Sequence, residues 1–183
     1  KEWLGELLSP HLEICKSPKS YNSKLGVPLS LLQLNEKHQI GIFETGISEP
    51  NEMTLLADLI KPDFSLFTNL GTAHDEGFES KSEKLKEKMH LLKRSKHIFL
   101  VEEDNELTYR IKNEFKEEQL IRLGASADAF IRTINFEKQK EGYSFTFILK
   151  DTEQLLFLPF SDQAALSNIF YCILIYCYCH DMS

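Results

Sequence analysis

The feature that most constrains this chain is a succession of short, uninterrupted apolar runs separated by stretches with helical spacing. Ile40 to Phe43 and Phe64 to Phe67 flank the stretch Glu52 to Ile60, in which Met53, Leu55, Leu56, Leu59 and Ile60 mark one helical face. A third run, Ile98 to Val101, follows the charged stretch Ser80 to Lys93, whose apolar positions Leu85, Met89 and Leu92 repeat in the same way. Strands that are apolar along their whole length have to be covered on both faces, and a strand, helix, strand succession does this when the strands run parallel. The pattern predicts an α/β fold with a mostly parallel sheet flanked by helices. Beyond about Leu120 it changes: Ala129 to Ile131, Tyr143 to Leu149 and Leu155 to Phe160 read as strands, with a turn at Glu141-Gly142. These predict a small antiparallel β extension, and an apolar helix, Ala164 to Tyr178, closes the chain.

Ahead of the first strand, Trp3, Leu4, Leu7, Leu8 and Leu12 recur at helical spacing with no N-cap residue before them. The polar stretch Lys16 to Lys24 reads as a loop, and Pro28 suits the first turn of a helix running through Leu34. No interior linker or repeat divides the sequence, so residues 1–183 are expected to form one domain. With 42% hydrophobic residues the chain can bury a sizeable core. Its net charge of -7 argues against a nucleic-acid partner, since duplex binding rests on neutralising phosphates with Lys and Arg. Cys15, Cys172, Cys177 and Cys179 lack the paired spacing of a zinc site and read as buried free thiols of a reducing, cytoplasmic setting. The run Ile169 to Cys179 is well short of the roughly 20 residues a membrane-spanning helix needs.

In open parallel sheets, ligands lie beyond the carboxyl ends of the strands. Glu44 ends one apolar run and precedes Thr45-Gly46, and its carboxylate is a hard oxygen ligand of the kind that suits magnesium. The bland alternative is a helix-capping or solvated glutamate. Thr68-Asn69 ends the next run, and His74 follows in a short polar loop, as a metal ligand, a hydrogen-bond donor or an ordinary surface histidine. Lys81, Lys84, Lys86, Lys88 and Lys93 are expected to form a mostly solvated face. Lys88, between Leu85 and Leu92 on the buried stripe, is expected to be the most inward of the five. A partly buried amine loses its proton more easily and can then take up carbon dioxide, becoming an anionic carbamate.

Taken together, Ser20-Tyr21-Asn22, Gly26 to Leu32, Phe43-Glu44-Thr45-Gly46 and Thr68 to His74 with Glu76-Gly77-Phe78 resemble the Mur ligases of cell-wall synthesis. The likeness covers nearly the whole chain and is strongest from Ser20 to Lys93. Within the family it is similar to the members that join D-alanyl-D-alanine to the UDP-N-acetylmuramoyl tripeptide, in the form some bacteria fuse to an alanine racemase. The resemblance implies the central, nucleotide-binding domain, with a P-loop NTPase-like fold, ATP and Mg2+ as cofactors, and an acyl phosphate as intermediate. It implies Glu44 as a magnesium ligand, His74 at a second magnesium, Lys88 as a carbamylated lysine, and Asn168 near the adenine. Thr68 and Asn69 would line the phosphate side, and Ser20 and Asn22 the substrate side. The chain departs from the family ahead of Asn168, where Asp162-Gln163-Ala164-Ala165 stands in place of a glycine with His-Asn. The family's glycine-rich Gly-Lys-Thr loop, which holds the ATP phosphates, occurs nowhere in the 183 residues. It is expected upstream of Lys1, with the acceptor-binding domain downstream, so that the chain alone is expected to bind ATP weakly. Alternatives are a ligase adding another amino acid, or a glutamate to a folate, and a non-catalytic nucleotide-binding domain on the same fold.

Overall fold

A computed structural model describes residues 1–71, 75–103, 105–160 and 162–181. The chain divides into two compact units, Lys1–Ser65 with Asn69–Lys96, and Leu66–Thr68 with His97–Ser183.

The first unit opens with helix α1 (Glu2–Leu8), which buries Leu4 and Leu8 but leaves Trp3 and Leu7 exposed. The helical spacing pointed on to Leu12, yet the helix stops at its Ser9 C-cap, one residue before Pro10, which has no N–H to continue the helical hydrogen bonds. Strand β1 (Ile14–Lys16) follows, in a place where the sequence pattern gave a loop from Lys16 onward. Helix α2 (Gly26–Leu31) carries Pro28 in its first turn. Strand β2 (Ile40–Ile42) pairs in parallel with β1, with Ile14 opposite Ile40 and Lys16 opposite Ile42. This corrects the expectation that Ile40–Phe43 and Phe64–Phe67 are strands of one sheet. The partner of β2 is a three-residue strand too short to leave a sequence period.

Helix α3 (Glu52–Ile60) has the bounds its periodicity gave. Val27, Ile47, Met53 and Leu56 form a buried cluster, and Leu31, Ile60, Phe78 and Leu91 pack against it. Strand β3 (Phe64–Leu66) is where the chain passes into the second unit, since Leu66 already belongs to it. Helix α4 (Lys81–Lys93) returns to the first unit, begins at Ser80, whose side chain accepts from the Glu83 N–H, and packs on α3, with Leu91 against the α3 cluster and Leu85, Met89 and Leu92 buried.

Six strands form the larger sheet in the order β3-β4-β5-β6-β7-β8. Strand β4 (His97–Val101) is parallel to β5 (Leu120–Gly124), which is parallel in turn to β6 (Ile131–Gln139). From β6 onward the sheet is antiparallel, through β7 (Gly142–Leu149) and β8 (Thr152–Leu158), as expected, although β6 starts only where the expected strand Ala129 to Ile131 ends. Between β4 and β5 the chain forms helix α5 (Glu106–Glu114), which sequence reading did not find. Its apolar signal is thin, with Thr108 and Ile111 as its buried residues, but Asn105 caps it by accepting from the Thr108 N–H at 2.9 Å.

Helix α6 (Gln163–Asp181) packs on β4 and β5 and sets Phe170 edge-on to Phe145 of β7, ring centres 4.9 Å apart. The buried Tyr171 hydroxyl donates to the Phe67 carbonyl at 3.0 Å, and burial pushes its pKa well above the usual phenol value. Cys15 is buried, but Cys172, Cys177 and Cys179 on α6 are only half-buried, so the expectation of buried thiols holds for the first alone. Burial raises all four thiol pKa values. Among the described residues no helix is long and apolar enough to cross a membrane.

A buried charge network ties β4 to β5. Arg122, only 3% exposed, reaches Glu102 at 2.8 Å, Glu117 at 2.5 Å and Asp128 at 2.7 Å, while Lys112 and Ser126 also donate to Glu102. Burial alone would raise the Glu102 pKa, but bonds from Lys112, Arg122 and Ser126 outweigh it and leave it below the usual value. A carboxyl depressed in the folded state contributes stability above its unfolded pKa, and that contribution is lost as pH falls through the folded value. Arg122→Met should therefore destabilise the protein by about 3 kcal/mol at neutral pH. In urea denaturation the gap to wild type should narrow as the pH drops below the ordinary glutamate range; a gap constant with pH would contradict this reading.

Candidate functional site

Glu44 stands just beyond the carboxyl end of β2, as its place in the sequence required. Its backbone N–H donates to the buried Ser17 hydroxyl at 3.2 Å, and its Oε1 accepts from the Asn22 side-chain amide at 3.1 Å. Lys1 Nζ lies 3.8 Å from the other carboxylate oxygen and also donates to the Ser17 carbonyl at 2.8 Å. Nearly half of the Glu44 side chain stays exposed, so the carboxylate is aimed by its neighbours yet open to a ligand.

Asn22 is held in turn by backbone. Its carbonyl accepts from the Gly46 N–H at 2.7 Å, and its own N–H donates to the carbonyl of exposed Ser20 at 2.8 Å. A Cβ at Gly46 would stand 3.1 Å from Asn22 Cγ, so a side chain there would push the amide that touches Glu44. The loop between Glu44 and α3 is fixed by two carboxylates. Buried Glu52 accepts from the Ser48 N–H at 2.5 Å and the Glu49 N–H at 3.1 Å, and pairs with Lys24 at 2.7 Å. Buried Glu87 of α4 accepts from the Met53 N–H at 3.0 Å, a helix-end donor that the side chain of Asn51 leaves unserved. Burial favours the neutral form of Glu52, but Lys24 and the two backbone donors outweigh this and lower its pKa.

The amines of α4 are arranged differently from the sequence expectation. Lys84, not Lys88, is the most inward of the set, at 1% exposure, because its position faces the loop after β3 as well as the apolar stripe. Its Nζ donates to the Gly71 carbonyl at 3.2 Å, and Nζ of half-buried Lys88 donates to the Leu70 carbonyl at 3.0 Å. Asn69, adjacent in the chain, is exposed. His74 lies outside the described residues, so the expected approach of Glu44 and His74 is not part of this geometry. In the second unit, Thr68 is exposed just past β3, and Asn168 is exposed near the start of α6. Asp162 caps that helix by accepting from the Ala165 N–H at 2.6 Å, and Ser167 donates to Glu103 and to the Gln163 carbonyl.

The structure thus brings Asn22 to Glu44 and Lys88 to the segment following Asn69. Sequence reading missed Ser17, Glu52, Lys84, Glu87 and Glu103, whose signal is contact across distant parts of the chain and leaves no local pattern. Among the described residues no group of three or more His, Cys, Asp and Glu is placed to hold a metal ion. Glu44 offers one accessible hard oxygen donor with a hydrogen-bonding amide beside it, which fits magnesium as a partial ligand set.

A parallel sheet with an antiparallel extension and helices packed on it, with polar residues just past the strand ends, defines an open-sheet α/β domain. The model of the Mur ligase middle domain matches residues 1–176, and the chain belongs to that family. It is 33% identical over 106 residues to the UDP-N-acetylmuramoyl-tripeptide–D-alanyl-D-alanine ligase of Borreliella burgdorferi, covering 58% of this chain and 23% of that protein. The ligase of the same name from Buchnera aphidicola is 25% identical over 174 residues, 92% of this chain and 38% of the relative. The chain therefore spans well under half the length of these relatives. In fold it is similar to MurF from Acinetobacter baumannii, with a TM-score of 0.79 at 21% identity over 96% of this chain and 39% of that one. It is also similar to the MurF ligase of Thermotoga maritima in complex with ADP, with a TM-score of 0.73 at 22% identity over 96% of this chain and 41% of that one.

Replacing Glu52 by alanine strands two backbone donors and Lys24. Glu52→Ala should lower stability by about 2 kcal/mol in urea denaturation, and a loss below about 0.5 kcal/mol would show that water replaces the carboxylate freely.

Proposed function

We propose that this chain is the central domain of a cytoplasmic, ATP-dependent amide ligase that adds D-alanyl-D-alanine to UDP-N-acetylmuramoyl-tripeptide in peptidoglycan precursor synthesis. The observation that carries the reading is the match to relatives named for that reaction, 33% identical over 106 residues in the Borreliella protein. The Asn22–Glu44 pairing beyond β2 supports it, because it is a fixed, solvent-open carboxylate on the nucleotide side of such a fold.

In this reading an oxygen of the tripeptide's terminal carboxylate attacks the γ-phosphorus of ATP, and the bond to the bridging oxygen breaks to release ADP. The amine of D-alanyl-D-alanine then attacks the acyl carbon, inorganic phosphate leaves, and the nitrogen gives up a proton. Glu44, His74 and Lys88, the last as a carbamate, would hold Mg2+, which when bound offsets the negative charge gathered on the phosphates. The carbamate forms when the unprotonated Lys88 nitrogen bonds to the carbon of carbon dioxide and releases one proton. Asn22, tied by Gly46, keeps the Glu44 carboxylate aimed, and Ser17 anchors its backbone. Asn22 and Ser20 would face the precursor, Thr68 and Asn69 the phosphates, and Asn168 the adenine, on a helix start held by Asp162 and Ser167. In the relatives the stretch ahead of the matched residues would complete this domain with the phosphate-binding loop, and the further domains would supply the acceptor site.

In the protein carrying this chain with those domains, Lys88→Ala should reduce D-alanyl-D-alanine-dependent ADP release by at least about a hundredfold. Short carboxylic acids such as acetate should restore part of it by standing in for the carbamate. Wild-type turnover in the variant would remove Lys88 from the mechanism, and ADP release indifferent to D-alanyl-D-alanine would overturn the proposed reaction.

A further inference from the structure

Two lysines one helical turn apart on α4 donate to consecutive carbonyls of one loop, Lys84 to Gly71 and Lys88 to Leu70. Their surroundings differ. Lys84 is sealed from solvent at 1% exposure, whereas Lys88 is half-buried. Burying an ammonium to this degree is costly unless its hydrogen bonds fix something in return. What it grips is a sharply turned piece of backbone: Gly71 has φ +64°, a left-handed conformation that glycine adopts readily and a side chain would disfavour. The gripped segment lies directly between exposed Asn69 and residues 72–74.

We propose that Lys84 is a positioning residue which tethers the Leu70–Gly71 backbone and keeps that segment in place when Lys88, as the ligase reading already requires, becomes a carbamate. The division of roles follows from burial. Lys88 is half-buried where Lys84 is sealed, and a lysine converted to a carbamate loses the ammonium with which it now holds Leu70. The loop leading to His74 would then depend on Lys84, whose nitrogen is closed off and keeps its donors. Lys84 is assigned no contact with substrate; it acts through the segment it holds. The mechanistic half of this inference rests on the ligase reading, while the tether itself rests on geometry alone.

The test uses the full-length ligase with Lys84→Met, which keeps the length of the side chain and removes its donors, and with Lys84→Arg, which retains a donor. Hydrogen–deuterium exchange, read by mass spectrometry on peptides covering 67–79, reports the tether whatever the activity. Lys84→Met should exchange faster there, with kcat lower by about tenfold or more and KM for D-alanyl-D-alanine within about twofold of wild type. Lys84→Arg should recover part of both. Acetate should leave Lys84→Met unrescued while it rescues Lys88→Ala. Should Lys84→Met fail to fold, Lys84→Leu, which has no donor and a smaller side chain, carries the same comparison. Wild-type exchange in these peptides would overturn the tether, and rescue of the Lys84 variant by acetate would assign the carbamate to Lys84 instead. A wild-type enzyme without D-alanyl-D-alanine-dependent activity would overturn the ligase reading and leave the exchange result standing.

Discussion

The first unit depends on carboxylates that accept from backbone N–H groups where no secondary structure can. The loop after β2 has to carry Glu44 away from the sheet and then enter α3, which leaves the donors of Ser48, Glu49 and Met53 without partners of their own kind. Glu52 and Glu87 take them, from inside positions where an unpaired carboxylate would be far more costly than a lost hydrogen bond. Because Glu87 belongs to α4 and Lys24 to the segment before α2, the same bonds join three parts of the sequence around one loop. The Asn22 contact with Glu44 is a consequence of this arrangement, since Gly46 reaches the Asn22 carbonyl only when the loop is folded back.

The second unit solves an equivalent problem with a cation. Arg122 sits within strand β5, nearly sealed, and is compensated by Glu102, Glu117 and Asp128. Such a network holds the ends of β4 and β5 together at the edge where the chain turns toward α5. The neighbouring Glu103 accepts from Ser167, so the end of β4 and the start of α6 are joined one residue before Asn168. Apolar packing of α6 on the sheet supplies the bulk of the core, and the charged contacts fix where its first turn lies.

Much of this architecture could be read in the sequence because it rests on local periodicity. Helix α3 came out with its observed bounds, and β7 and β8 with their antiparallel pairing were legible from the apolar runs and the Glu141-Gly142 turn, whereas β6 was expected at Ala129 to Ile131 and shares only Ile131 with that run. Pairing was less legible. Strand β1 has three residues and no period, so β2 was expected in one sheet with β3 and its pairing with β1 was not foreseen. Helix α5 was missed because its buried face has only Thr108 and Ile111. At the candidate site, Glu44 and Asn22 could be found as a strand-end carboxylate and as part of a family resemblance. The inward lysine could not be separated from its neighbours by spacing alone, since Lys84 and Lys88 share one face and only the course of the loop at Gly71 decides which is enclosed.

Membership in the Mur ligase family accounts for the sheet and its extension, and the fixed carboxylate beyond β2 gives the proposed ligase a defined place for its chemistry. The central claim, that carboxylate activation passes through an acyl phosphate, is tested most directly by isotope transfer. UDP-N-acetylmuramoyl-tripeptide labelled with oxygen-18 in its terminal carboxylate would be turned over with ATP and D-alanyl-D-alanine by the full-length protein, and the released phosphate analysed by mass spectrometry. The account predicts one labelled oxygen in each phosphate formed with the amide product. Unlabelled phosphate accompanying that product would contradict it.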